Sequence, residues 1–290
     1  MLKTLTVVRP INLIIILLTM IVVQSNIYAH AGQETRLGFQ WWLKLLIMLI
    51  LAASGNVIND IWDQKVDAIN KGSKQLIGRV ITLSQAKRLY GMLIFFLFIL
   101  SFQIFLVTQK AVLIYIPLAM AVGLYIYTPV LKRFTWVGNI WVSACIGFVP
   151  LWVTMGKWNW TFHSDIFIRI FFLALMAFLV NWIREIVKDM MDAEGDEQCG
   201  YQSLSIAYGN LFAIKVVRFF LSLLFLLIGV YTFWSEQRNG GGYVAIVLLW
   251  IPCGMLLWKT AKSWSTTTPK KVSFFLKTWM LLALIQFYFS

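Results

Sequence analysis

Residues 165–197 read DIFIRIFFLALMAFLVNWIREIVKDMMDAEGDE, an apolar run that passes without interruption into a train of charges. A bilayer core about 30 Å thick takes about 20 apolar residues of helix, and 165–187 is a run of that length. Its polar continuation spaces Asp189, Asp192 and Asp196 at i, i+3 and i+7, which on a helix is one face. Outward from this stretch, comparable runs recur near 11–28, 39–59, 90–108, 111–128, 137–155, 211–233, 242–258 and 272–289. With 60% hydrophobic residues, 13% charged and a mean hydropathy of +0.78, the chain departs from the soluble norm of about a quarter charged. Open strands cannot cross lipid with unpaired backbone groups, and runs so evenly apolar do not suit the alternating strands of a barrel. The expected fold is all-α: a polytopic membrane bundle of about nine transmembrane helices in a single domain over 1–290, with a tight hairpin near Gln109 and Lys110.

A formal net charge of +13 would suit a nucleic-acid binder, but no stretch is polar and basic enough to fold as a separate binding module, so no nucleic-acid partner is expected. Membrane topology accounts for most of the surplus. Lys and Arg gather in alternate connections: at Lys3 and Arg9, between Lys65 and Arg88, at Lys132 and Arg133, between Arg184 and Arg218, and between Lys259 and Lys271. The connections between them hold only Arg36, Lys110, Lys157 and Arg238. Positive charge stays on the cytoplasmic side, so the N-terminus and the acidic loops are expected at the cytoplasmic face of the cell (inner) membrane. Ala29-His30-Ala31 after the first run has the form of a leader cleavage site, yet the run is long enough to span and reads as the first helix. Cys145, Cys199 and Cys253 lack CxxC spacing, and with His30 and His163 they build neither a disulfide framework nor a zinc site.

Most of the 12 acidic residues fall in two clusters at the ends of two apolar runs. The first is Asn59-Asp60-Ile61-Trp62-Asp63-Gln64-Lys65-Val66-Asp67, with Asn59, Asp63 and Asp67 at i, i+4 and i+8; the second is the Asp189, Asp192, Asp196 stripe. Stacked carboxylates repel unless a cation sits on them, and oxygen ligands without His or Cys point to a hard ion, Mg²⁺ before Ca²⁺ or Mn²⁺. Mg²⁺ commonly binds one or two carboxylates together with phosphate oxygens. Two facing stripes would therefore clamp a diphosphate through bridging metals, with Lys71, Lys74, Arg79, Lys132, Arg133, Arg184 and Lys188 adding counter-charge. The competing reading is a pair of solvated helix ends joined by ordinary salt bridges. Ionisable residues at membrane depth are costly and by default functional.

At these residues the chain resembles the UbiA superfamily of intramembrane prenyltransferases. Asn59, Asp60, Asp63 and Asp67 match its NDxxDxxxD motif, and Asp189, Asp192 and Asp196 its DxxDxxxD motif. Arg184-Glu185-Ile186-Val187-Lys188-Asp189, Tyr127-Thr128-Pro129-Val130-Leu131-Lys132-Arg133 with Gly138-Asn139, and Arg9-Pro10-Ile11-Asn12 are similar to its "REIxKD", "YTPxLKR...GN" and "RPxN" segments. The resemblance covers essentially the whole chain. It implies Mg²⁺-dependent transfer of an isoprenyl group from a prenyl diphosphate to a lipophilic acceptor. Asp63, Asp67, Asp192 and Asp196 would be the catalytic carboxylates, helped by Asn59, Asp60 and Asp189 in holding Mg²⁺. Asn59, Lys71, Lys74, Lys132, Arg184 and Lys188 would contact the diphosphate. Tyr125, Tyr127, Phe148 and Trp152 could shield positive charge at the reacting carbon, but plain bundle packing is the first reading of each, since 16% aromatic residues make coincidence easy. One departure stands out: the family's Asn-Lys-Pro-x-Arg-Pro is here Asn70-Lys71-Gly72-Ser73-Lys74-Gln75, and Lys is a point charge where Arg is a fork. Gln202-Ser203-Leu204-Ser205 also drifts from the family's Thr-Leu-Pro.

The "RPxN" opening with "REIxKD…DAEGD" most resembles the geranylgeranylglycerol-phosphate geranylgeranyltransferase-like branch. That resemblance implies geranylgeranyl diphosphate as donor and geranylgeranylglyceryl phosphate as acceptor. Aromatic prenyltransferases of quinone biosynthesis share the Asp motifs and are the alternative. A membrane transporter or non-catalytic scaffold is the alternative from another class, but the carboxylates cluster at helix ends and no paired Gly/Pro-interrupted spans mark a midplane site. No His stands near either motif, which leaves a carboxylate or the substrate phosphate as general base. No obligate protein partner is expected.

Overall fold

The computed structural model describes residues 6–30, 34–35, 37–70, 72, 75–156, 165–239, 242–265 and 268–289. Its helices are α1 (Pro10–His30), α2 (Phe39–Trp62), α3 (Gln64–Asn70), α4 (Leu83–Thr108), α5 (Val112–Tyr127), α6 (Val137–Thr154), α7 (Asp165–Gln198), α8 (Leu204–Tyr208), α9 (Asn210–Asn239), α10 (Gly242–Ala245), α11 (Ile251–Lys262) and α12 (Thr268–Phe289). A π turn at Ile246–Trp250 joins α10 to α11. Every apolar run is helical, and among the described residues the only β pairing is an isolated bridge between Ile77 and Ile81. Among the described residues seven helical segments are long and apolar enough to cross a membrane, and the protein is an integral membrane protein. Two of the nine expected spans fall outside that set. Val112–Tyr127 has only 16 residues, and α12 is a 22-residue helix that is not among the seven.

Local chemistry explains the boundaries. Pro10 opens α1, where its missing N–H costs nothing. Before α4, Thr82 and Gln85 exchange side-chain and backbone hydrogen bonds in a capping box, which starts the helix well ahead of its apolar run. Gln109 adopts a left-handed conformation (φ 55°) and donates its N–H to the Phe105 carbonyl, making the expected hairpin into α5. Helix α7 has 34 residues, about 51 Å at 1.5 Å per residue, so its charged end extends beyond an apolar layer about 30 Å thick.

That long helix joins two apolar cores. Ile166, Ile170 and Leu173 pack with α1, α2, α4, α5 and α6, while Met176, Leu179, Ile183 and Ile186 pack with α9, α11 and α12. Gly147 lets α6 lie flush on α7, since an added Cβ would come within 2.9 Å of the Ala174 carbonyl oxygen. At the start of α2, buried Lys44 donates Nζ to the carbonyls of Val153 (3.0 Å) and Met155, and Trp152 Nε1 returns a bond to the Lys44 carbonyl at 3.1 Å. A charge inside the bundle is thus held by backbone carbonyls. Phe95, Phe219, Phe233 and Phe274 face outward, as suits a surface solvated by lipid.

Candidate active site

The first acidic cluster straddles a helix break. Helix α2 stops at Trp62 and α3 resumes at Gln64, with Asp63 between them at φ −81°, ψ 9°. The stripe expected on one continuous helix is therefore corrected, but its spacing survives. The Asp63 N–H reaches the Asn59 carbonyl at 2.8 Å and the Asp67 N–H the Asp63 carbonyl at 2.7 Å, so the i, i+4 rhythm crosses the break. Asp60, Asp63 and Asp67 are all buried. Asn59 Oδ1 accepts from the Thr128 hydroxyl at 3.0 Å, and Asp60 accepts from Arg9, just before α1, at 2.8 Å.

The second cluster lies on one unbroken helix, the end of α7, with Asp189 and Asp196 buried and Asp192 half-buried. Asp189 Oδ2 accepts from Asn139 Nδ2 at 2.8 Å. Asn70, the last residue of α3, reaches across to it: Nδ2 donates to the Asp192 carbonyl at 2.9 Å, and Oδ1 accepts the Gly195 N–H at 3.0 Å. This two-bond clasp sets α3 against α7. A Cβ on Gly195 would sit 2.6 Å from Asn70 Nδ2. Losing both bonds in Asn70→Ala is expected to cost about 2 kcal/mol, at about 1 kcal/mol per bond. Gly195→Ala also opens the clasp but recovers about 1 kcal/mol of helix propensity. Thermal melting should therefore rank wild type above Gly195→Ala and Gly195→Ala above Asn70→Ala; equal midpoints for wild type and Asn70→Ala would refute the clasp.

Between the clusters stands Lys132, in a short 3₁₀ turn over Leu131–Arg133. Its Nζ is 2.9 Å from Asp196 Oδ1 and 3.4 Å from Asp63 Oδ1, and 4.6 Å from the Tyr201 ring centre. Burial alone would push the ammonium pKa down, but the carboxylates of Asp63 and Asp196 outweigh it and hold Lys132 above the ordinary lysine range. Burial also raises the Tyr201 phenol, with Asp63 adding to the effect. One ammonium thus ties two carboxylates that lie far apart in the chain. Asp196 is fully buried, and its Oδ2 has no hydrogen-bond partner, a costly state for a carboxylate oxygen without a cation. Among the described residues no three His, Cys, Asp or Glu side chains converge on a single metal position. An oxygen-only set with a buried unpaired oxygen nonetheless fits a hard ion whose remaining ligands come from substrate and water.

Lys71 and Lys74 lie outside the described residues. Arg79 and Arg133 are exposed. Gln75, where the family carries Pro, donates Nε2 to the Gln64 carbonyl at 3.0 Å, bracing the start of α3.

Arg184 and Lys188 lie on α7 at 3.8 Å and 3.5 Å from the buried carboxylate of Glu185. All three line a cavity with two lobes. The first, about 1070 Å³ counted with its open mouth, lies between α1, α6, α7 and α12, with Leu173, Met176, Trp279 and Ala283 in its wall. The second, about 840 Å³ counted with its open mouth, lies between α1, α2, α5, α6 and the end of α7, with Met48, Leu51, Met120 and Leu124 in its wall. Arg9, Asn12, Asn56, Glu185 and Lys188 line both lobes. Asn59 and Tyr127 belong only to the second, and Asn181, Arg184 and Lys277 only to the first.

Of the four aromatics, only Tyr127 lines a lobe. Tyr125 is half-exposed and stacks on Tyr90, while Phe148 packs on Trp152, which is locked to Lys44; these three are packing residues, as first read. Asn70, Tyr201, Asn181 and Lys277 are members of the site that the sequence reading did not single out. Asn181 and Lys277 carried a usable signal, being polar residues inside apolar runs.

A model of the UbiA prenyltransferase family matches residues 13–284. The chain is 32% identical to a digeranylgeranylglyceryl phosphate synthase of Methanobrevibacter smithii over 84% of each chain. It is 28% identical to the enzyme of that name from Thermococcus sibiricus, covering 97% of this chain and 94% of that one. Among solved structures, one reported for digeranylgeranylglyceryl phosphate synthase in membranes superposes with a TM-score of 0.68 at 26% identity, covering 100% of this chain and 98% of that one. A UbiA homologue from Archaeoglobus fulgidus bound to GPP and Mg²⁺ shares the fold, with a TM-score of 0.63 at 15% identity over 98% of this chain and 99% of that one.

Proposed function

The chain belongs to the UbiA prenyltransferase family, and on that premise we propose that it transfers a geranylgeranyl group, with Mg²⁺, from geranylgeranyl diphosphate to a hydroxyl of geranylgeranylglyceryl phosphate. The observation that carries this reading is Lys132 standing between Asp63 and Asp196, in a bundle whose two-lobed apolar cavity reaches Asn59 of the same acidic cluster. The names of the relatives from Methanobrevibacter smithii and Thermococcus sibiricus support the acceptor. The GPP and Mg²⁺ bound to the Archaeoglobus fulgidus homologue support the donor class and the metal.

Asp63, Asp67, Asp192 and Asp196 would hold the metal, with Asn59, Asp60 and Asp189 beside them. When bound, Mg²⁺ supplies the counter-charge that makes the diphosphate a leaving group, a contribution of several kcal/mol. Lys132 turns from the carboxylates toward a diphosphate oxygen, and Lys188, which lines both lobes, takes another. Lys71 and Lys74 are placed with them on their loop position. Carbon 1 of the isoprenyl group leaves its diphosphate oxygen and bonds to the acceptor oxygen. Glu185, among the described residues the one carboxylate lining both lobes, receives the hydroxyl proton, with Arg184 and Lys188 beside it at 3.8 Å and 3.5 Å. Following the Lys and Arg asymmetry, this end of the bundle faces the cytoplasm.

Glu185→Gln preserves shape and removes the proton acceptor, so kcat should fall by about 10²-fold or more while the Kd for donor stays within about twofold of wild type. An unchanged kcat removes Glu185 from the role of base. The reaction itself is tested with purified protein in lipid, labelled geranylgeranyl diphosphate, Mg²⁺, and two acceptors offered separately, geranylgeranylglyceryl phosphate and dihydroxynaphthoate. Labelled lipid ether, abolished by EDTA, is the expected product; a prenylated ring in its place would assign the protein to quinone synthesis.

A further inference from the structure

We propose that the lobe between α1, α6, α7 and α12 binds the acceptor as a phosphomonoester whose phosphate is held by Arg184 and Lys277, while the lobe that reaches Asn59 takes the donor's isoprenoid tail. The inference rests on the reading above and assigns its two substrates to separate walls of the cavity.

Charge distinguishes the lobes. Arg9 and Lys188 are common to both, and each has a carboxylate of its own: Arg9 bonds Asp60 at 2.8 Å, and Lys188 stands 3.5 Å from Glu185. Arg184 and Lys277 open on the first lobe alone. Arg184 donates to Asn181 Oδ1 at 2.9 Å, and its carboxylate neighbour, Glu185 at 3.8 Å, is shared with Lys188. Lys277, projecting from α12, has no carboxylate partner among the described residues. Two cations beside one shared carboxylate and a wall of apolar side chains are costly unless an anion joins them. A phosphomonoester brings a charge of about −1.5 to −2 near neutral pH, which matches the pair, and Asn181 adds amide polarity beside it.

The walls identify what the anion is attached to. Leu173, Met176, Trp279, Met280 and Ala283 continue the lobe below the cations, which suits an isoprenyl chain and leaves a free phosphate with little to bury. The second lobe has the complementary character. It reaches Asn59 and Tyr127, beside the carboxylates, and carries neither Arg184 nor Lys277. A donor whose diphosphate rests on Asp63 and Asp196 threads its tail there. The two substrates then meet where Asn12, Asn56 and Glu185 line both lobes.

The test is equilibrium binding by the full chain in lipid nanodiscs, without turnover. Labelled geranylgeranylglyceryl phosphate, its dephosphorylated alcohol, and labelled geranylgeranyl diphosphate with Mg²⁺ are titrated separately. Wild type should bind the phosphorylated acceptor about tenfold or more tighter than the alcohol, since charge-assisted contacts are the strong ones. Lys277→Gln should remove that preference, Lys277→Arg should restore it, and donor binding should stay unchanged in both, which also shows that the variants are folded. Equal binding of phosphorylated and dephosphorylated acceptor by wild type, a measurement needing no variant, overturns the proposal. So does a Lys277→Gln variant that weakens the donor in place of the acceptor, or one that leaves acceptor affinity unchanged. Phosphate-dependent, Lys277-dependent binding by a protein that forms no ether would sustain the pocket and refute the reaction.

Discussion

Asp63→Asn and Asp196→Asn each abolish Mg²⁺-dependent prenyl transfer, lowering kcat by about 10³-fold or more while the protein stays folded. Asparagine keeps the size of the side chain and one acceptor oxygen, and what is lost is the charge. Asp196 is fully buried, with one oxygen on Lys132 at 2.9 Å and the other unpaired, so its negative charge is sustained at a cost that a metal recovers. A factor of 10³ corresponds to about 4 kcal/mol of transition-state stabilisation, in line with the several kcal/mol a metal contributes at a departing phosphate. Because both carboxylates act through the same diphosphate, the double variant should be little worse than either single one. Turnover within about threefold of wild type for both single variants, an effect below about 1 kcal/mol, would remove the carboxylates from the chemistry.

Lys132→Met produces the second large effect, and it reads out as stability. Without metal, the ammonium is the cation that Asp63 and Asp196 share. Removing one partner of a buried pair costs about 3 kcal/mol or more, because the remaining charge is stranded. The variant should melt well below wild type in EDTA. Saturating Mg²⁺ should close much of that gap, since a divalent ion replaces the lost positive charge, so the Mg²⁺-induced rise in Tm is larger for the variant than for wild type. Equal rises in the two proteins would contradict the shared position of ammonium and metal.

The α7 segment shows what a sequence makes legible and what it leaves out. Its apolar run and its i, i+3, i+7 carboxylates are local periodicities, and both appear in the structure as one helix of 34 residues. The Asn59, Asp63, Asp67 stripe was legible in spacing but not in form. The helix is interrupted at Asp63, and no residue type there, neither Pro nor Gly, announces it. The Asn70 clasp on Asp192 and Gly195 joins residues far apart in sequence, and no period encodes such a pair. Phe148 and Trp152 were plausible as shields on composition alone. Only the packing of α6 on the start of α2 shows that Trp152 serves Lys44. Lys277 is the sharpest case: a lysine in an apolar run is visible in the sequence, but what it faces depends on how α12 seats against α1 and α7.

The measurement closest to the centre of this account is the affinity of the full chain for labelled geranylgeranyl diphosphate, titrated with Mg²⁺ and with EDTA, in wild type and in Asp63→Asn with Asp196→Asn. Binding that requires Mg²⁺ and falls to the EDTA level in the double variant is the predicted result. Donor affinity that is indifferent to EDTA and equal in the two proteins would contradict a metal-bridged diphosphate between these helices.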